Sequence, residues 1–74
     1  MRYLDGQEVI IGDRVLVDDA EGIIVCVIDS NQFSEKYGRA WSYLETGTLV
    51  DIEEMGLVHY VEFNGNDRLV KRAA

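Results

Sequence analysis

The chain has 74 residues, with 14 acidic side chains, seven basic ones, a single cysteine and no proline. At this length we expect one domain, residues 1–74, with a small hydrophobic core. So small a scaffold leaves little room for a cleft with several converging polar groups, and we therefore predict neither an enzyme nor a cofactor site. An apolar content of 47% argues against a disordered chain.

The net charge of −7 argues against nucleic acid as a partner. Proteins that bind DNA or RNA use Lys and Arg to displace counterions from phosphates, and here acids outnumber bases two to one. The basic cluster of Arg68, Lys71 and Arg72 is expected to be a solvated tail. The acidic field favours a cationic protein partner, although acidic surfaces also serve solubility alone.

Cys26 cannot form an intramolecular disulfide because the chain has no second cysteine. It lies in an apolar run, residues 23–28, where we expect it to fill space in the core. No apolar segment approaches the roughly 20 residues that span a membrane, and residues 1–5 carry no apolar signal region. We therefore predict no membrane partner and a cytoplasmic location.

The first half of the chain is predicted to be a series of short strands joined by tight turns. Asp5 and Gly6 separate two apolar segments, a pattern typical of a hairpin turn. Arg14–Val17 is expected to be a strand, and residues 18–22 a polar turn containing glycine. Residues 23–28 are apolar throughout, so we predict a central strand that is covered on both faces.

The segment from residue 29 to residue 47 departs from the strand pattern. Phe33, Tyr37, Trp41 and Leu44 follow the spacing of one helical stripe. Gly38 disfavours a continuous helix, because glycine costs about 1 kcal/mol relative to alanine in a helix interior. We therefore predict a short helix or helical turn near residues 39–45, preceded by an excursion from the strands.

Three more strands are predicted in the second half: Thr48–Ile52, residues 57–63 and Arg68–Lys71. The alternation along the second of these places His59 on the same face as Phe63. Five or six short antiparallel strands with frequent turns predict a mainly all-β fold. We expect a small SH3-like barrel in preference to an OB-fold, which usually needs more residues.

Several segments of the chain resemble known proteins. Residues 11–15 and 21–25 resemble the G-D-x-V and G-x-V start of many SH3-like barrels. Residues 3–6, 25–29, 41–44 and 56–60 are four further segments, spread over most of the chain. They resemble a group of small, uncharacterised bacterial proteins associated with immunity proteins of bacterial toxin systems. The resemblance implies a bacterial cytoplasmic binding protein and transfers no catalytic residue.

Few residues offer catalytic or metal chemistry. His59 is the only histidine, and we predict a core or edge histidine with a backbone partner, since no motif ties it to Cys26. One cysteine and one histidine exclude a structural zinc site. Carboxylates cluster at residues 18–21 and 51–54, without the spacing of an EF-hand loop, so we predict solvated acidic turns and no metal site.

The aromatic segment is the predicted partner-binding site. Tyr37, Trp41 and Tyr43 would anchor a protein interface, because Trp and Tyr are enriched at interface hot spots. Glu35 and Glu45 beside them would make the surface suited to a basic partner. The alternative is that the segment caps one end of the barrel core, and a buried Phe33 is compatible with both.

These patterns predict a non-enzymatic, acidic protein-interaction module that binds a protein with a basic surface, for example as an immunity-type inhibitor of a basic toxin. Two alternatives belong to other classes. The aromatics could form a cage for a small ligand or a modified side chain. The chain could also be a structural subunit that exists as a homodimer, which the small core and an open edge at residues 57–63 favour.

Overall fold

The computed structural model describes residues 2–33, 45–65 and 67–72 of the chain. These residues form six strands, all paired antiparallel in one sheet, and contain no helix. The predicted all-β fold is therefore confirmed. The strands are β1 (Arg14–Val17), β2 (Ala20–Val27), β3 (Gln32–Phe33), β4 (Thr48–Ile52), β5 (Gly56–Tyr60) and β6 (Arg68–Lys71).

The sheet has the order β5-β4-β2-β1-β6, and β3 also pairs with β2. The last strand thus returns to pair with the first. Within the described residues no strand ladder joins β5 to β6, so the sheet does not close into a barrel. The predicted SH3-like barrel is therefore not confirmed, because the described strands form an open sheet. The predicted helix near residues 39–45 lies outside the described residues except for Glu45, which is not helical.

The central strand, β2, divides its side chains between two apolar clusters. Its register with β4 shifts between Ile24 and Cys26, a β-bulge with Val25 as the extra residue. Ile24 therefore enters the main core, whereas Val25 and Cys26 join a second cluster with Leu49. The main core consists of Tyr3, Val9, Val15, Val17, Ile24, Val27, Val50, Ile52 and Phe63.

The predicted burial of residues 23–28 on both faces is wrong at its first residue. Ile23 is 40% exposed, while the rest of the run is buried. Its side chain points away from the main core, on the face of its register partners Arg14 and Asp51. Its two cross-strand partners are charged and the second apolar cluster does not include Ile23, which leaves this side chain accessible.

Gly22 was predicted to lie in a turn, and this is wrong. It is buried inside β2, opposite Ile52. A Cβ at this position would lie 2.6 Å from Cγ1 of Val50 and 3.1 Å from the backbone oxygen of Asp51. The glycine therefore allows β4 to pack closely against β2, and the turn is limited to Asp18 and Asp19.

The N-terminal hairpin and the segment after β5 complete the main core. The predicted N-terminal hairpin turn is confirmed, because the Tyr3 amide donates to the Gln7 carbonyl at 2.8 Å and Gly6 has a φ of +92°. The strand predicted over residues 57–63 ends at Tyr60. Beyond it Phe63 turns into the main core and stacks on Tyr3, with ring centroids 5.4 Å apart.

Candidate functional site

The residues predicted to bind a partner lie mostly outside the described part of the chain. Glu35, Tyr37, Trp41 and Tyr43 belong to this group, so their prediction as a site stays a prediction. Glu45 is described, and it is exposed with a left-handed φ of +66°. Its carboxylate is therefore presented to solvent at the entry to β4.

The sheet brings together two acidic segments that are far apart in sequence. Gly22 pairs with Ile52, and the Glu53 amide donates to the Glu21 carbonyl at 3.3 Å. The turn after β4 therefore lies beside the first residues of β2 and close to the turn that precedes them. We call the exposed acidic residues of these two turns the acidic turns: Asp18, Asp19, Glu53 and Glu54.

The β1–β2 turn has the geometry of a tight hairpin. Val17 pairs with Ala20, which leaves Asp18 and Asp19 as a two-residue loop. Their φ angles of +49° and +63° are both positive, as a type I′ turn requires. Aspartate tolerates this left-handed region better than most side chains, yet Asn-Gly is the usual sequence of such a turn. The turn thus places two carboxylates where smaller uncharged residues would fit with less strain.

A hydrogen-bond network holds the β1–β2 turn in place. The Tyr60 hydroxyl donates to Oδ2 of Asp18 at 2.6 Å. The Asp18 amide in turn donates to Oδ1 of Asp67 at 3.1 Å, and the Asn64 amide donates to its Oδ2 at 2.8 Å. Asp67 is only 5% exposed, so its carboxylate serves as an internal acceptor for two loops.

This network also perturbs the titration of Tyr60. Burial of the ring raises its pKa well above the ordinary range of tyrosine, and the hydrogen bond to the Asp18 carboxylate raises it further. The negative charges of Asp18 and Asp67 act in the same direction, because they oppose a phenolate. Tyr60 therefore stays a hydrogen-bond donor at physiological pH.

A second buried carboxylate, Asp13, organises the opposite region of the core. It is 0% exposed, and its Oδ2 accepts hydrogen bonds from the Tyr3 hydroxyl at 2.7 Å and the Ile10 amide at 3.0 Å. Arg72 forms an ion pair with the same oxygen at 3.1 Å. Burial and the hydrogen bond to Asp13 raise the pKa of Tyr3 above its ordinary range.

Arg72 was predicted to be part of a solvated tail, and this is wrong. Besides Asp13, its guanidinium donates to the Glu8 carbonyl at 2.8 Å and to the Gln7 side chain at 2.9 Å. The planar group reaches several acceptors at once, which suits arginine and not lysine. Arg72 thereby ties the end of the described chain to the N-terminal hairpin.

The outer face of the sheet, the side of β4, β2, β1 and β6 that points away from the main core, carries a groove of about 350 Å³. Two exposed apolar side chains line it, Ile23 at 40% and Val70 at 54% exposure. Its other lining residues include Arg14, Asp51 and Glu53. The groove is therefore partly apolar and has charges of both signs around it.

Charges on the outer face are separated by strand. The acidic side chains belong to β2 and the end of β4, and the basic ones belong to β1 and β6. Cross-strand pairs share a face, so register places them there. The acidic side chains are Glu21, Asp51 and Glu53, and the basic ones are Arg14, Arg68 and Lys71.

The two candidate side chains for nucleophilic chemistry, Cys26 and His59, lie on strands that are not adjacent in the sheet. Cys26 is 0% exposed, which confirms its prediction as a core residue. Leu49 lies between Cys26 and His59 in the ladder, so the two are about 9–10 Å apart across the sheet. The His59 side chain is exposed and contacts the Thr46 carbonyl at 2.8 Å, which confirms an edge histidine with a backbone partner.

Metal-ligating side chains or aromatic rings could also form a ligand site. In the described ranges, no group of three or more His, Cys, Asp or Glu side chains is arranged to hold a metal ion. Tyr3 and Phe63 are buried in the main core, and Tyr60 is half-buried against Phe63. These aromatics therefore fill the core and leave no open cage among themselves.

No protein-family model, curated protein or solved structure matches the chain. Among the described residues, no helix is long and apolar enough to cross a membrane. The local chemistry of the acidic turns, the outer face and the two buried carboxylates is therefore the basis on which function is argued.

Asp13, Asp67 and Tyr60 were not predicted from sequence, because their roles depend on partners 10 to 59 residues away.

Proposed function

We propose that the protein is a non-enzymatic interaction module that binds a basic protein partner through the acidic turns. The observation that carries this proposal is the contact between Glu53 and Glu21, which brings two acidic segments to one end of the sheet. Clustered carboxylates concentrate the negative potential, and such a potential steers and orients a cationic partner.

The β1–β2 turn supplies a second argument. Asp18 and Asp19 both occupy the left-handed region, at a cost of order 1 kcal/mol each compared with glycine. The hydrogen bonds to Tyr60 and Asp67 fix this turn before any partner arrives. A preorganised acidic turn loses little conformational entropy on binding, which favours affinity.

The apolar part of the interface is proposed to come from Tyr37, Trp41 and Tyr43. The segment that contains them is followed by the exposed Glu45, so an acidic side chain borders it. Together with the resemblance to proteins of toxin systems, this leads to a finer proposal. The partner would be a basic toxin, and the protein would inhibit it by covering its functional surface.

Affinity capture with matched charge variants tests the acidic turns. The double variant Asp19→Asn/Glu54→Gln removes two of their charges, and the control Glu8→Gln/Glu62→Gln removes two exposed charges elsewhere. We expect the unmodified chain and the control to capture the same basic protein, and the acidic-turn variant to lose most of it. Equal capture by all three chains, or capture of no basic protein, would contradict the proposal.

The single tryptophan tests the aromatic anchor separately. Once a captured partner has been purified, its titration into the chain should change the emission of Trp41, because an interface anchor becomes desolvated. A tryptophan-free version of the partner, or excitation corrected for the partner's own emission, isolates this signal. Unchanged emission at saturating partner would remove Trp41 from the proposed interface while the charge variants still report on the acidic turns.

A further inference from the structure

The outer face differs in charge from the rest of the chain. It carries three acidic and three basic side chains, whereas the whole chain has a net charge of −7. Three of the five basic side chains in the described residues lie here, namely Arg14, Arg68 and Lys71. The face is therefore electrically balanced on a strongly acidic protein.

We propose that the outer face is a symmetric homodimer interface, in which the basic half formed by β1 and β6 meets the acidic half formed by β2 and β4 of a second copy. Ile23 and Val70, the two exposed apolar side chains of the groove, would be covered by this contact. The proposal concerns a different partner from the basic protein of the previous section and does not rest on it.

Register explains why a two-fold axis produces this match. Arg68 pairs with Leu16, Leu16 pairs with Glu21, and Glu53 follows beside Glu21. The charged side chains in this row are basic on β6 and acidic on β2 and at the end of β4. We place a two-fold axis in the plane of the interface, parallel to the strands and between β1 and β2. Rotation about this axis reverses the order of the row in the second copy, so Arg68 of each copy faces Glu53 of the other.

The neighbouring row gives the same result. Lys71 pairs with Arg14, Arg14 pairs with Ile23, and Ile23 pairs with Asp51. The same two-fold axis places Lys71 opposite Asp51 of the second copy and Arg14 over its Ile23. Both rows therefore bring opposite charges together at the rim, while Leu16, Glu21, Arg14 and Ile23 lie next to the axis.

The sign of the charges favours a second copy over the basic partner proposed for the acidic turns. A cationic protein would meet Arg14, Arg68 and Lys71 on this face and would be repelled by them. A second copy supplies acidic partners for two of these side chains, with Glu53 opposite Arg68 and Asp51 opposite Lys71. At physiological salt the screening length is about 8 Å, so the charge on the far surface of each copy has little effect on the contact.

Sedimentation velocity of the full chain over about 1–300 µM tests the proposal. We expect a reversible monomer–dimer equilibrium. Val70→Asp should weaken it at least about tenfold, because it would place a carboxylate opposite the acidic end of β4 of the second copy, twice by the symmetry. Val61→Asp is the matched control, since Val61 is 61% exposed, follows the end of β5 and does not line the groove. It should leave the dimer unchanged.

Charge exchange provides a second variant set that keeps the fold intact. Arg68→Glu and Glu53→Arg each create like-charge contacts, repeated twice by the symmetry, and should each weaken the dimer about tenfold. The double variant Arg68→Glu/Glu53→Arg should recover most of the lost association. Asp19→Asn/Glu54→Gln should leave dimerisation unchanged, because Glu53 is the one residue of the acidic turns that takes part in this interface.

Four results would each overturn the proposed dimer. A chain that stays monomeric up to 300 µM, a dimer that responds equally to Val70→Asp and Val61→Asp, or a double exchange that does not restore association would overturn the proposal. Species larger than a dimer would also overturn it, because a two-fold contact closes on itself and cannot extend into a chain of subunits. Circular dichroism of every variant confirms that the comparison is made between folded proteins.

Discussion

Tyr60 and Asp18 are joined by a 2.6 Å hydrogen bond although they lie 42 residues apart. Tyr60 ends the strand at one edge of the sheet, and Asp18 lies in the hairpin turn after β1. Asp67 accepts from the Asp18 amide and stands directly before β6, the strand at the other edge. Side chains therefore connect the two edges that the strand ladder leaves separate.

Tyr60→Phe tests how much this connection stabilises the fold. It removes the hydroxyl but keeps the ring against Phe63, and we expect the free energy of unfolding to fall by about 1–1.5 kcal/mol. Urea titration should show a lower midpoint with an unchanged slope. Asp19→Asn is the control in the same turn, expected within about 0.5 kcal/mol of the unmodified chain. Equal stability of Tyr60→Phe would show that the hydroxyl is as well solvated in the unfolded chain as it is bonded in the fold.

The two tyrosines whose pKa is raised, Tyr3 and Tyr60, predict a loss of stability at alkaline pH. In the unfolded chain a tyrosine ionises near pH 10, whereas in the fold both stay protonated to higher pH. The unfolded state therefore binds fewer protons above pH 10, and the free energy of unfolding falls as pH rises. Below pH 10 both states are protonated and this contribution to stability is fully present.

Urea midpoints between pH 8 and pH 11.5 measure this effect. Each tyrosine contributes a slope of up to about 1.4 kcal/mol per pH unit. Tyr60→Phe should make the decline shallower by about half, while lysine ionisation affects both proteins alike. Tyrosinate absorbance gives an independent reading, because both phenols should ionise only as the protein unfolds. Native-state ionisation of Tyr60 near pH 10 would contradict the burial and hydrogen bonding described for it.

Much of the fold could be predicted from sequence where local signals sufficed. Arg14–Val17, Thr48–Ile52 and Arg68–Lys71 have the bounds expected from apolar runs between turn residues. The errors occur where a distant partner decides the structure. Gly22 was assigned to a turn because glycine usually marks one, but the close approach of Val50 is what requires it. No local pattern reveals which strand will lie next to a given glycine.

The candidate site also depends on partners that are distant in sequence. The acidic residues 18–21 and 51–54 were expected to be exposed turns, but their proximity results from the pairing of β2 with β4. Arg72 looks like a tail residue in sequence, and only its return to the N-terminal hairpin brings it to Asp13. A buried carboxylate such as Asp13 cannot be distinguished in sequence from a solvated one, because its partners come from three separate segments.

Arg72→Met tests the ion pair at Asp13. It leaves a carboxylate that is 0% exposed without its cationic partner, and breaking such a pair usually costs several kcal/mol. Because the Arg72 side chain is 31% exposed, solvent screens the pair and we expect a loss of about 2 kcal/mol. Lys71→Met, at the exposed neighbouring position, should change stability by less than about 0.5 kcal/mol. Similar losses for both variants would mean that Arg72 acts only through its general charge.

Arg72→Lys separates charge from geometry at the same position. Lysine keeps the positive charge but cannot place two nitrogens on Asp13, the Glu8 carbonyl and Gln7 together. We therefore expect a stability between that of Arg72→Met and that of the unmodified chain, measured by urea unfolding at neutral pH. Full rescue by lysine would show that the contacts to Glu8 and Gln7 contribute nothing measurable.

Gly22→Ala tests the close packing of β4 on β2. The added methyl group would lie 2.6 Å from Cγ1 of Val50 and 3.1 Å from the Asp51 carbonyl oxygen, so strand and side chain must both shift. Overpacking of this kind costs about 1–3 kcal/mol. Gly65→Ala is the control, because nothing lies within 4 Å of its Cβ position and the change should be neutral or slightly stabilising. Thermal unfolding of the two variants gives the comparison, and an equal midpoint for both would show that β2 and β4 are not packed as closely as described.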